Sequence, residues 1–303
     1  MDAIDRALEA IQNTHDGIKY KLNEPFRNHT TFGIGGPVRV MFFPKTTTEI
    51  TELCETLSKI GIAPLITGNG SNILASDEVH ELVVINTTDS NKIEKSDETE
   101  ITVDAGAFLW KVAMFARDNG LAGLEFAHGI PGTLGGAVVM NAGAYGSEMK
   151  DVVIETTAYS TKSGIYTLTN NQHEFAYRYS KFSGNDDIVL SSVLRLKKGN
   201  SAAINSRMQE LVALRISKQP LDLPSSGSTF KRPCGAYAAE LIEKSGLKGF
   251  TVGGAKVSEK HAGFIVNYNN ATFDDVIAVI EHVQETVFRE FNTELELEVK
   301  IVK

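Results

Sequence analysis

Apolar positions at helical spacing open the chain. Ile4, Leu8 and Ile11 share one face and predict a short amphipathic helix. Val38-Arg39-Val40-Met41-Phe42-Phe43 then predicts a strand that Pro44 stops. Thr46 and Glu49 stand at capping-box spacing, ahead of a helix that buries Ile50, Leu53, Leu57 and Ile60 and ends at Gly61. Strands are expected at 62–66, 82–85 and 101–103, and a helix over 107–119 that Gly120 closes. From 123 to 146 no period survives. Strands resume at 152–160, turn at Ser163-Gly164, return at 165–168, and end with 188–196.

The composition shifts at Lys197-Lys198-Gly199-Asn200. After it, Ile204, Met208, Leu211 and Val212 predict a helix running to Lys218, and Pro220 and Pro224 impose an extended segment. A short helix over 238–245 and a strand over 263–267 precede a long helix that begins at Thr272 and Asp275. Val276, Ile280, Val283, Val287 and Phe291 form its inner face. The chain finishes on alternation, with Leu295, Leu297, Val299 and Ile301 to one side and Glu296, Glu298 and Lys300 to the other. By pattern Glu298 is an outward strand residue. The expected fold class is α+β, divided into domains 1–198 and 199–303.

A length of 303 residues suits such a division. No run approaches the ~18 apolar residues a membrane span requires, and the first residues lack a signal peptide's basic start and apolar core. Cys54 and Cys234 are too few for a disulfide framework, so a reducing, cytoplasmic setting is expected. A formal net charge of -8 argues against nucleic acid as partner. It leaves room for a small anionic ligand held by local cations and backbone N–H groups.

Two glycine-bearing segments carry the first candidate chemistry. Gly68-Asn69-Gly70-Ser71-Asn72 follows an apolar strand and suits an anion nest, or a plain turn. It is no dinucleotide fingerprint, because Ile73 stands where the third glycine belongs. The second runs from His128 through Gly129, Ile130, Pro131, Gly132, Thr133, Leu134, Gly135, Gly136 and Ala137 to Asn141, Gly143 and Ala144. Such small residues suit backbone packed against a large flat ligand or a diphosphate, or a glycine-rich packing crossover. His128 reads as a hydrogen-bonded structural histidine, and no metal site is expected. Arg178, between Tyr177 and Tyr179, could clamp a carboxylate or pair on the surface. Arg215, Lys218, Lys231 and Arg232 flank the proline-rich segment as a basic group for a phosphorylated ligand, or as a solvated helix end. Gly227-Ser228-Thr229-Phe230 reads as a turn with a helix cap at Ser228 or Thr229. From residues alone the reading ends at an enzyme binding a large anionic cofactor.

Taken in order, Asn28-His29-Thr30-Thr31-Phe32-Gly33-Ile34-Gly35-Gly36, the two glycine segments, Tyr177-Arg178-Tyr179-Ser180-Lys181-Phe182, Gly227-Ser228-Thr229-Phe230-Lys231 and Leu297-Glu298-Val299-Lys300 resemble the UDP-N-acetylenolpyruvoylglucosamine reductase family. The resemblance runs from about Tyr20 to the C-terminus. It implies a two-lobed FAD-binding domain of the vanillyl-alcohol-oxidase type followed by a smaller α+β substrate-binding domain. FAD would be non-covalent, with its pyrophosphate on 68–72 and its ring against 129–137. The implied reaction, in peptidoglycan precursor synthesis, passes hydride from NADPH through FAD to the β-carbon of UDP-N-acetylglucosamine enolpyruvate.

In that family pattern Arg178 supports the substrate carboxylate, Ser228 donates a proton to the α-carbon, and Glu298 lies beside the carboxylate. Glu298 must carry or share a proton there. Lys218 and Lys231 would meet the diphosphate, and Tyr177, Arg215, Arg232 and His261 are further substrate-contact candidates. About fifty positions separate Arg178 from Ser228, without an aromatic-rich insert, so the chain resembles the shorter subtype that lacks a tyrosine lid loop. A cytoplasmic monomer is expected. The alternative is an FAD-dependent oxidase or dehydrogenase of the same fold acting on a small hydroxy acid or lactone. A flavin- or nucleotide-binding regulatory module without catalysis is the third reading.

Overall fold

Helix ends follow the caps the sequence supplies. The computed structural model describes residues 2–15 and 17–303. Ala3–Thr14 starts on an Asp2/Asp5 capping box and Phe273–Phe291 on a Thr272/Asp275 box. At Thr47–Lys59, Thr46 Oγ1 accepts the Glu49 N–H, but the Glu49 carboxylate reaches the N–H of Lys45 rather than that of the cap.

The described chain divides into two compact units. The first comprises Met1–Asn23, Arg39–Asn69 and Glu81–Ala213. It holds two cores, as a two-lobed domain requires. One gathers Ala7, Ile11, Val40, Phe42, Ile50, Leu53 and Leu57 against a four-stranded sheet ordered Lys19–Pro25, Pro37–Phe43, His80–Asn86, Leu65–Thr67, whose last two strands are parallel. The other lies on a five-stranded antiparallel sheet ordered Gly164–Thr169, Val153–Ser160, Ile188–Arg195, Glu100–Asp104, Ile93–Lys95. Leu109–Asp118 buries Leu109, Val112, Ala113 and Ala116 in this second core. The strand expected from 62 forms only at Leu65–Thr67. The Lys197 to Asn200 stretch is itself structured: Lys197 and Lys198 pair with Ala122 and Leu121, and the Gly199 N–H donates to Gly120 O.

The second unit comprises Glu24–Val38, Gly70–His80 and Leu214–Lys303. Its core sets Val276, Val279, Ile280, Val283 and Val287 of the long helix with Phe32, Ile34, Leu74, Phe230, Ile242, Leu295 and Val299. Leu295 and Val299 point inward as the alternation predicts, yet regular strand forms only over Lys300–Val302, parallel to Ile73–Ala75. No helix among the described residues is long and apolar enough to cross a membrane.

Candidate functional site

In the first unit the start of the first glycine segment, Gly68 and Asn69, meets the second segment. A Cβ on Gly68 would stand 2.2 Å from Thr133 Oγ1, so the strand end approaches this closely only as glycine. Asn69 Nδ2 donates to Pro131 O at 2.5 Å, and Asn86 Nδ2 to Gly68 O at 3.1 Å. The aperiodic stretch conceals a six-residue helix, Leu134–Val139. Its glycines disguised it. Gly135 is required because an added Cβ would lie 2.9 Å from Ala105 Cβ, whereas Gly136 is exposed and an added Cβ would meet only Thr133 Oγ1, at an ordinary 3.8 Å. Two buried atoms beside the segments, Thr67 Oγ1 and His128 Nδ1, have no hydrogen-bond partner. The expected hydrogen bond of His128 is therefore missing at Nδ1.

Arg178 sits in the same unit, in a tight turn closed by reciprocal hydrogen bonds between Ala176 and Tyr179 at 3.0 and 3.2 Å. Its φ of 53° is left-handed, which costs a residue with a Cβ about 1–2 kcal/mol. Strain of this kind persists where the surroundings over-determine it and clusters at functional sites. The guanidinium lies over the Tyr177 ring, 5.4 Å from its centroid, and Tyr177 is exposed. Asn141, an expected cofactor contact, is wholly buried, and its side-chain amide binds Glu148, Ala176 and Lys150. Gly143–Ala144 forms a small hairpin with Ser147–Glu148.

In the second unit, Gly227-Ser228-Thr229-Phe230 caps no helix. It alternates bends with isolated bridges, Ser228 to Phe264 and Phe230 to Leu297. Gly227 has open space around it but takes a φ of 80°, which favours glycine. Thr229 is the hub. Its N–H donates to Gly263 O at 2.9 Å, its O accepts the Glu298 N–H at 2.8 Å, and its buried Oγ1 accepts the Ile265 N–H at 3.3 Å. Glu298 is half-buried rather than outward, and Asn72 Nδ2 donates to its O at 3.0 Å. Gly70 packs on His29, where a Cβ would fall 2.1 Å from the carbonyl oxygen. Thr31 Oγ1 donates to Ser225 O at 2.7 Å, which ties the early motif to the Ser228 segment.

The basic candidates spread over this unit. Arg215 and Lys218 occupy the last turn of Ser201–Lys218, Lys231 Nζ lies 3.1 Å from Glu296 Oε2, and Arg232 stacks over Tyr237 at 4.5 Å. Half-buried His261 accepts the Gly263 N–H at Nδ1, and burial holds it below the usual histidine range. A cavity of about 440 Å³ is lined by Gln219, Pro220, Leu221, Lys256, Ser258 and Lys260, none of them among those candidates.

Residues 38–169 match the FAD binding domain family, and 219–302 match the C-terminal domain of UDP-N-acetylenolpyruvoylglucosamine reductase. A UDP-N-acetylenolpyruvoylglucosamine reductase of Caldanaerobacter subterraneus subsp. tengcongensis is 48% identical over 284 residues, 94% of each chain. The chain belongs to the UDP-N-acetylenolpyruvoylglucosamine reductase family.

The crystal structure of the Thermus caldophilus member of this reductase family superposes with a TM-score of 0.78 at 32% identity, covering 94% of this chain and 99% of that one. Alkyldihydroxyacetonephosphate synthase shares the fold alone, at a TM-score of 0.50 and 16% identity over 64% of this chain and 40% of its own. The flavin domain is of the vanillyl-alcohol-oxidase type. As a member of the reductase family the chain is an FAD-dependent oxidoreductase that uses NADPH. The first unit fits FAD on its own evidence: glycine-only contact at Gly68, the exposed backbone of Gly136, and the unsatisfied Thr67 and His128 atoms. Asn86 and Glu148 escaped the sequence reading, Thr31 stood in a motif without a role of its own, and Thr229 read only as a helix cap. Their only signal was a polar side chain close to a motif, which most surface turns also carry.

Proposed function

We propose that the chain reduces UDP-N-acetylglucosamine enolpyruvate to UDP-N-acetylmuramate as a cytoplasmic monomer, with Arg178, Ser228 and Glu298 as its reactive side chains. The observation that carries this reading is the Thr229 hub, which binds the Ser228 segment directly to Glu298. That backbone bond sets the Ser228 and Glu298 segments side by side, which supports a hydroxyl and a carboxyl serving one carbon next to a carboxylate. An oxidase acting on a hydroxy acid has no use for a proton donor there.

Bound FAD supplies a two-electron carrier, so that hydride from NADPH reaches the β-carbon of the enolpyruvyl group. Adding hydride to that electron-rich double bond pushes charge onto the α-carbon and its carboxylate. Arg178 meets the carboxylate with a planar fork, a contact that strengthens as the charge grows. Glu298 holds a proton beside the same group, so it donates instead of repelling. The Ser228 hydroxyl gives its proton to the α-carbon and regains one from solvent. A hydroxyl is a weak acid and serves because the acceptor is strongly basic. Lys218 and Lys231 bind the diphosphate, assisted by Arg215 and Arg232, while Tyr177 and His261 border the sugar. Gly129, Ile130 and Gly132 would hold the flavin, with Ala137 packed in the core behind them, and Gly70, Ser71 and Asn72 would offer N–H groups to the pyrophosphate.

The deciding experiment mixes purified protein with NADPH and the enolpyruvyl substrate. Stoichiometric NADPH loss and muramate formation are expected. Oxygen uptake on hydroxy acids without enolpyruvyl reduction would overturn the reading.

A further inference from the structure

The geometry points to Asn141 as a positioning residue that holds the Arg178 turn in place rather than touching the cofactor; this rests on Arg178 being the carboxylate-binding group. The Arg178 backbone is left-handed at φ 53° and needs restraint from both flanks. On one flank Asn141 Nδ2 donates to Ala176 O at 3.0 Å. On the other, the Ser180 and Ser183 hydroxyls both donate to Val139 O, at 2.8 and 2.7 Å. The turn is thus clamped onto 139–141, the residues that end the short helix of the second glycine segment.

Asn141 turns both amide hydrogens and its oxygen to protein groups. It is wholly buried, its second amide hydrogen goes to Glu148 Oε2 at 2.9 Å, and its Oδ1 accepts the Lys150 N–H at 2.9 Å. Asparagine fits this duty better than other side chains. It offers two donors and an acceptor on a short stem, and it tolerates the left-handed φ of 41° found here. Aspartate would turn a carboxylate towards Glu148 and Ala176 O, where donors are needed.

The test uses holoenzyme carrying Asn141→Asp or Asn141→Gly, the latter suited to the left-handed backbone. Affinity for FAD, read by flavin fluorescence, and flavin reduction by NADPH are expected to stay within about twofold of the parent. Reoxidation by the enolpyruvyl substrate should fall about ten- to a hundredfold, because the Ala176 carbonyl keeps only the Tyr179 N–H within the turn, the tether to 139–141 is lost on that flank, and Arg178 loses its place. In an Arg178→Lys background the Asn141 change should cost no further reoxidation. Glu148→Gln, which still accepts from the amide, should leave reoxidation within about twofold and answers the question even if the Asn141 variants misfold.

Loss of FAD affinity, or equal slowing of both half-reactions, overturns the inference and returns Asn141 to the cofactor site. Losses that multiply in the Arg178→Lys background also overturn it, while the reading of Arg178 stands. A large reoxidation defect in Glu148→Gln overturns it too, since the Ala176 tether would be intact. Normal reoxidation in Arg178→Lys alone overturns both readings.

Discussion

At the scale of single residues, pattern and role diverge most. Glu298 alternates like any outward strand residue, and Ser228 precedes a threonine as helix caps often do. Neither periodicity nor turn preference separates such residues from reactive ones, because both report only on neighbours along the chain. Only the resemblance to the family motif marked them as candidates. The Thr229 carbonyl, which accepts the Glu298 N–H, holds their segments together. Ser228→Ala is expected to leave flavin reduction by NADPH intact and to slow reoxidation by substrate about 10²- to 10⁴-fold, measured by rapid mixing of each half-reaction. Equal loss in both halves would remove Ser228 as proton donor. Arg178→Lys should slow the same second half at least about tenfold, because a point charge cannot reproduce a planar fork. Near-parent turnover would take Arg178 out of the reaction. A Cβ at Gly68 would collide with Thr133 Oγ1, so Gly68→Ala should weaken FAD retention, read as flavin released on gel filtration.

Elements were the most legible scale. Caps, glycine stops and the two periods of burial act within a few residues, so helix and strand positions could be read locally. The exceptions are instructive. Leu134–Val139 was hidden because glycines needed for close packing erase a helix's hydrophobic stripe. At the long helix, Asp275 accepts the N–H groups of Thr272 and Gly254, each at 3.0 Å, and these bonds hold its carboxyl below the usual carboxylate range. Asp275→Ala should therefore cost about 1 kcal/mol in urea unfolding at neutral pH. The folded-state pKa is depressed, so the contribution is present above the unfolded value and is lost as pH falls through the folded one. The gap between parent and variant should accordingly close below about pH 4. A gap that widened in acid would refute the cap's charge dependence.

For the whole molecule, a single cut at 198/199 is the natural reading of a linear chain, but packing follows a different division. The second unit takes in Glu24–Val38 and Gly70–His80, which supply Phe32, Ile34 and Leu74 to its core and the strand that pairs with Lys300–Val302. Residues 199–303 expressed alone should show no cooperative thermal transition, by calorimetry, since that core and edge are incomplete. A sharp transition would show the earlier segments to be dispensable. Family membership was legible because its motifs are short and lie in a set order. By itself the sequence determined which stretches are helix, strand or turn, and which family the chain belongs to, since these depend on neighbours and identities. Tertiary structure alone decided that Thr229 joins Ser228 to Glu298, that Asn141 serves Ala176, and that two early segments complete a late core. Those pairings bring together residues tens to hundreds of positions apart, where burial and hydrogen-bond satisfaction select partners that no local pattern encodes.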